Sequence, residues 1–127
     1  MQNLFIKGNS KTPEVDFNVD TGKLQISGIS IPEHTLDFYN PIFSFLEEYA
    51  KSPCSSTEIT FNLQYFNTST SKSFVNVFKI LQTIDPKKST VVVNWCYEKE
   101  DEDMLDCGHD FQSISSLKFN MVELEEL

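Results

Sequence analysis

Ile59-Thr60-Phe61-Asn62-Leu63-Gln64-Tyr65-Phe66-Asn67-Thr68-Ser69-Thr70-Ser71, followed by Phe74, Val77, Phe78, Leu81 and Ile84, decides the fold class. Ile59, Phe61, Leu63 and Tyr65 alternate with Thr60, Asn62 and Gln64, the period of a half-buried strand. From Phe74 onward the apolar residues recur three and four apart, the period of a helix with one buried face. Asp85-Pro86 stops that helix, because proline lacks the amide proton the next turn needs. A strand that feeds a helix through a short polar segment is the repeating unit of an α/β sheet.

The same alternation of periods extends in both directions. Upstream, Val15, Phe17 and Val19 alternate with Asp16 and Asn18. Asp20-Thr21-Gly22-Lys23 reads as a turn, and Leu24 and Ile26 continue the alternation, so an N-terminal β-hairpin is expected. Leu36, Tyr39, Phe43, Leu46 and Ala50 then fall at helical spacing, widened by Phe38, Ile42, Phe45 and Tyr49. Pro32-Glu33 suits the helix start, Asn40-Pro41 predicts a kink or a late start at Pro41, and the helix should end before Pro53. Downstream, Val91, Val93, Trp95 and Tyr97 form another alternating strand. An acidic stretch, Glu98 to Asp103, precedes a short helix around Met104 to Phe111. Leu117, Phe119 and Met121 make a last strand, and the tail Glu123 to Leu127 is expected to fray.

The expected order is β-β-α-β-α-β-α-β, a mixed sheet in one domain spanning residues 1–127. Asp16, Asn18, Thr60, Asn62, Gln64, Asn94, Lys118 and Asn120 occupy the off-face positions. A sheet covered on both sides would not tolerate them, so the helices should pack mainly on one face and leave a polar, open second face. That pattern argues against a doubly wound dinucleotide fold. The sequence also contains neither G-x-G-x-x-G nor G-x-x-x-x-G-K-[ST].

Composition narrows the function. The chain has 127 residues with 10 basic against 19 acidic, a formal charge of −9, and every basic residue is lysine. The acidic balance disfavours nucleic acid and anionic membrane as direct ligands. The lack of arginine removes the usual bidentate clamp for phosphate and carboxylate. No apolar run approaches the length of a membrane span, and Met1 to Lys7 lacks the basic and apolar regions of a secretion leader. Cys54, Cys96 and Cys107 are odd in number and lack C-x-x-C spacing, which fits a reduced, cytoplasmic setting.

No catalytic or metal constellation is visible. His34 and His109 have no local company that suggests a triad or zinc ligation. Packing is the ordinary role for Cys96 and Cys107. Glu98 to Asp103 lacks the ligand spacing and turn glycine of a calcium loop, and reads as a solvated run favouring the start of the next helix. The sequence implies no cofactor. Five hydroxyl residues, Thr68, Ser69, Thr70, Ser71 and Ser73, lie between a strand end and a helix. One or two could cap the helix. The cluster is equally suited to a phosphoacceptor beside the positive end of a helix dipole. Composition and spacing leave both readings open.

The sequence resembles the SiaC-like regulatory phosphoproteins, a bacterial family similar in fold to STAS-type anti-sigma-factor antagonists. The carrying stretches are Thr12-Pro13, Ile26-Ser27-Gly28, Ser30-Ile31-Pro32-Glu33, Phe38-Tyr39-Asn40-Pro41, Leu46-Glu47-Glu48-Tyr49 and Tyr65-Phe66-Asn67-Thr68-Ser69. Asn94-Trp95-Cys96-Tyr97, Asp101-Glu102-Asp103-Met104-Leu105 and Gly108-His109-Asp110-Phe111 complete them. Each is weak alone; their order and spacing are specific. Cys96, Cys107 and His109 depart from the family pattern near the acidic region and leave the Thr68 motif intact.

The resemblance implies a STAS-like fold and a non-enzymatic partner-switching regulator in bacterial signal transduction. Such proteins are phosphorylated by a dedicated protein kinase and dephosphorylated by a PP2C-type phosphatase. Their unphosphorylated form binds and activates an effector, in one arrangement a diguanylate cyclase of c-di-GMP signalling. The resemblance places the phosphoacceptor at Thr68, ahead of Ser69 and Thr70, with Asn67, Thr68, Ser69, Thr70 and Lys72 as partner contacts. The alternatives are a small-ligand-binding domain using the open face, or a constitutive protein-interaction adaptor in which the hydroxyl cluster only caps a helix.

Overall fold

The structure, a computed structural model, describes residues 1–125; Glu126 and Leu127, the end of the tail expected to fray, lie outside the described residues. The elements are β1 (Leu4–Ile6), β2 (Glu14–Asn18), β3 (Lys23–Ser30), α1 (Thr35–Tyr49), β4 (Ser56–Phe66), α2 (Thr68–Leu81), β5 (Thr90–Glu98), α3 (Glu102–Ile114) and β6 (Lys118–Leu124). The six strands form one sheet in chain order. β1, β2 and β3 pair antiparallel, and β3 through β6 are parallel. The expected mixed α/β sheet and N-terminal hairpin are present. One strand precedes the expected order: β1 is only three residues long, too short for its alternation to register.

All three helices pack on one face of the sheet. Phe45 of α1 meets Phe17 of β2 at 5.3 Å between ring centroids. Phe74 and Phe78 of α2 meet Phe61 of β4 at 5.0 and 5.3 Å. Phe111 of α3 meets Trp95 of β5 at 5.2 Å. The phenylalanine-rich composition thus becomes one connected aromatic core, in which tilted and edge-to-face pairs each contribute about 0.5–1.5 kcal/mol beyond area burial. The other face stays polar: Asp16, Gln25, Lys118 and Asn120 are exposed there, and Asn94 bridges Thr60 and Asn120 across β4, β5 and β6.

Four local features differ from the sequence reading. Tyr65 does not continue the inward row of β4; it is 59% exposed. The ladder pairs Leu63 with Gly28 and Tyr65 with Ile29, so Gln64 is an extra residue, a bulge. One inserted residue reverses the side-chain alternation beyond it. Phe66 therefore turns into the core, 5.3 Å from Phe74 and 5.9 Å from Trp95. Gly28 lies against the bulge at φ 108°, a backbone region closed to most side chains.

α1 runs unbroken from Thr35, with Pro41 inside it, so the late start does not occur. Proline deprives the Asp37 carbonyl of its donor, but Asp37 and Pro41 are both exposed, where water can replace that bond. Tyr39, Ile42 and Phe43, buried on either side of Pro41, hold the helix to the core. Finally, α2 begins at Thr68, not near Phe74, and α3 spans 13 residues where a short helix was expected. The hydroxyl cluster is therefore the opening of α2, not a loop before it.

Candidate functional site

The site sits where β4 ends and α2 begins. Asn67 is the N-cap of α2, with extended backbone at φ −90° and ψ 176°. Its Oδ1 accepts from the Thr70 amide at 2.9 Å, and its carbonyl accepts from the Ser71 amide at 3.0 Å. An Asn cap of this kind stabilises a helix by about 1 kcal/mol. Capping, which the sequence assigned to a Ser or Thr, thus falls to Asn67, and the hydroxyls are released for other roles.

The helix sorts those hydroxyls by face. Thr70 and Ser73 lie one turn before Phe74 and Val77 and are buried with them, Thr70 at 0% exposure. The Thr70 hydroxyl donates to the Ser30 carbonyl at 3.1 Å, which occupies its one proton. Ser30 Oγ must then donate to Thr70 Oγ1 at 2.8 Å, and the Tyr39 phenol to Ser30 Oγ at 2.7 Å. This directed chain joins α1, β3 and α2 behind the site. Thr70, expected as a partner contact and secondary acceptor, therefore has no surface to present in the folded chain. Ser73 donates to the Ser69 carbonyl at 3.3 Å, a back-bond within the helix.

Ser69 is exposed but engaged. Its hydroxyl donates to Asn67 Oδ1 at 3.0 Å and so accepts from Thr35 Oγ1 at 2.7 Å, which ties the starts of α1 and α2 together. Thr68 is exposed and takes no part in either chain. Its own amide and that of Ser69 have no acceptor among the described residues, and both sit at the positive end of the α2 dipole. Lys72 is exposed one turn beyond Thr68, and residues four apart on a helix are neighbours. Between α1 and α2 lies a groove of about 360 Å³, whose walls include Leu36, Phe43, Ser69, Lys72 and Asn76.

Burial pushes the Tyr39 phenol up to about 12, against the smaller opposing effect of the Ser30 and Thr70 hydroxyls beside it. The folded state therefore holds this proton more tightly than the unfolded chain. The resulting stability is complete below pH ~10 and is lost as pH rises towards ~12, an effect of at most about 3 kcal/mol. Burial raises Tyr49 in the same direction, opposed by its hydrogen bond to Thr57. Urea midpoints should thus fall between pH 9 and pH 11, and Tyr39→Phe should flatten part of that fall. An unchanged slope in the variant would contradict the buried, proton-donating role of Tyr39.

The acidic stretch has a structural use. Asp101 Oδ1 accepts from the Met104 amide at 3.0 Å and caps α3, while Glu102 and Asp103 occupy its first turn. Among the described residues no three His, Cys, Asp or Glu side chains gather as a metal site requires. Cys54, Cys96 and Cys107 are free thiols. Burial raises the Cys96 thiol, and burial followed by the carboxylates of Asp110, Asp103, Asp101 and Asp106 raises Cys107, the opposite of an activated nucleophile. No helix among the described residues is long and apolar enough to cross a membrane.

The fold by itself assigns no function; what it presents at the start of α2 is an exposed threonine outside the hydrogen-bond chains of its neighbours. The chain belongs to the SiaC family of regulatory phosphoproteins, whose sequence profile matches residues 6–124. It is 24% identical over 119 residues to the uncharacterized protein PA14_02130 of Pseudomonas aeruginosa strain UCBPP-PA14, covering 94% of each chain. It is also similar in fold to SiaC of Pseudomonas aeruginosa, with TM-score 0.86 and 22% identity over 98% of this chain and 100% of that one. A crystal structure of the diguanylate cyclase SiaD in complex with its activator SiaC gives TM-score 0.88, again at 22% identity, over 95% of this chain and 99% of that one.

Proposed function

We propose that this chain is a non-enzymatic, cytoplasmic switch protein that activates a diguanylate cyclase when unmodified and releases it when Thr68 is phosphorylated. A protein kinase installs the phosphate and a PP2C-type phosphatase removes it. Membership of a regulatory phosphoprotein family supports the class of function. The description of SiaC as the activator of SiaD supports the choice of effector. The observation that carries the residue assignment is the sorting of hydroxyls on α2: Thr68 alone among Thr68, Ser69 and Thr70 is both exposed and outside the hydrogen-bond chains.

The chemistry at that position suits a reversible modification. A phosphate on Thr68 adds about −1.5 to −2 charges at pH 7. The Thr68 and Ser69 amides and the helix dipole tolerate that charge, so the fold need not change. The neighbouring surface changes sign, and the partner senses that. The assay is cyclic-di-GMP production by the diguanylate cyclases of the same organism, with the chain added unmodified or after kinase treatment. Stimulation by the unmodified chain alone is expected. Equal stimulation by both forms, or stimulation of no cyclase, contradicts the proposal.

A further inference from the structure

We propose that the outer edge of β6 takes an added strand, a basic extended segment of a protein partner. This goes beyond the Thr68 reading, because β6 lies two strands from β4, whose end carries that residue. A sheet has two edges, and each presents a row of backbone N–H and C=O groups with which an extended chain can pair. Here the two edges are unlike. β1 is three residues long and gives way at once to an irregular segment, which blunts that edge. β6 runs for seven residues, in unbroken register with β5 from Val92 beside Lys118 to Glu98 beside Leu124. No proline or bulge interrupts it, and no strand lies outside it among the described residues. About half of its residues direct both backbone groups outward. Its rim is partly apolar, with Val122 37% exposed.

Charge selects the occupant. Phe111 of α3 turns inward to Phe78 of α2, with ring centroids 5.3 Å apart. The opposite flank of α3, with Glu102, Leu105 and His109 at helical spacing, therefore lies towards the β6 edge. Glu123 in β6 and Glu125 just beyond it add two more exposed carboxylates. The salt bridge found among the described residues joins Lys11 to Glu33, so none of these carboxylates is paired with a lysine. A second copy of the chain, with its charge of −9, would bring the same carboxylates against them. Basic side chains on an added strand would instead meet them as opposite charges meet across a sheet. Strand addition of this kind takes its affinity from main-chain bonds and its specificity from alternate side chains.

A seven-residue synthetic peptide, the length of β6, can probe the edge. Threonine and valine alternate in it with lysine, and a control peptide carries glutamate in place of lysine. Each is titrated into the whole isotope-labelled chain by NMR at about 0.15 M salt, where long-range attraction is screened. The lysine peptide should bind more tightly, move the amides of Asn120, Val122 and Glu123, and slow hydrogen exchange at the outward amides of β6. N-methylation of two adjacent central residues keeps the peptide's charge but blocks pairing along both of its edges, and should weaken binding about tenfold. Glu123→Lys should weaken the lysine peptide about fivefold. Val122→Lys, at a partly exposed position where the fold should keep its melting temperature, should weaken it by a similar factor. Equal binding of the methylated and unmethylated peptides would mean attraction to the acidic surface alone and would overturn strand addition. Shifts that leave β6 unmoved would overturn it too, as would a chain that sediments as a dimer with its β6 amides already protected, since a second copy would then hold the edge. None of these measurements uses the effector, so failure here differs from failure of the cyclase assay.

Discussion

Gly108→Val should destabilise the fold by about 3 kcal/mol and lower the melting temperature by roughly 10 °C. Gly108 lies on the buried face of α3, against the indole of Trp95. A Cβ there would overlap Trp95 Cδ1 and lie 2.9 Å from both Trp95 Cγ and Met121 Sδ. The sulfur end of Met121 can swing away, but the indole cannot. Trp95 is 0% exposed, donates from Nε1 to the Met104 carbonyl at 2.8 Å, and touches the rings of Phe61, Phe66, Phe74 and Phe111. Helix propensity pulls the other way, since alanine is better than glycine in a helix by about 1 kcal/mol. The overlap should win, so even Gly108→Ala should be less stable than the parent. Denaturant unfolding decides this, and a Gly108→Ala chain as stable as the parent would show that α3 is free to shift.

Thr68→Ala should stay folded and hold its effector even with active kinase present, while Thr68→Asp should stay folded and bind poorly. Neither side chain disturbs the Asn67 cap, because Thr68 takes no part in it. Melting temperatures should therefore stay close to that of the parent. An anion pressed against a partner surface that offers no cation must be desolvated, which costs several kcal/mol, and a loss of ~3 kcal/mol weakens binding more than a hundredfold. Aspartate carries about half the charge of phosphate, so its effect should be smaller, near tenfold. If Thr68→Asp binds as tightly as Thr68→Ala, charge at residue 68 is not what the effector senses.

The large periodic elements were legible because burial writes itself into the spacing of side chains. Val15, Phe17, Leu24 and Ile26, then Ile59, Phe61 and Leu63, all face the core as alternation requires. The one-sided sheet followed from Asp16, Asn62, Asn94 and Asn120 by the same logic. What escaped was local. The extra residue at Gln64 is invisible to a period-2 count, because Tyr65 is apolar enough to continue the inward row and Phe66 equally able to replace it. α1 absorbed Pro41 because tertiary packing by Tyr39, Ile42 and Phe43 outweighs one lost backbone bond.

The site was half legible. The five hydroxyls stood out as a cluster, but their division into buried and exposed depends on where α2 starts. Carrying the helical spacing of Phe74 and Val77 back one turn would have placed Thr70 and Ser73 on the buried face and left Thr68 and Lys72 outside. The partner of Thr70, Ser30, is 40 residues away in sequence, and no local pattern announces it. The groove is likewise a product of two helices that the chain brings together only in the fold.

The most direct test is the affinity of the effector for two preparations of this chain, one unmodified and one carrying a single phosphate mapped by mass spectrometry. Kinase should place the phosphate on Thr68, and the modified chain should bind at least a hundredfold more weakly while keeping its melting temperature. Phosphate found chiefly on Ser69, Thr70 or Ser71 would contradict the residue assignment. Equal affinity of the two preparations, with the phosphate on Thr68, would contradict the switch itself.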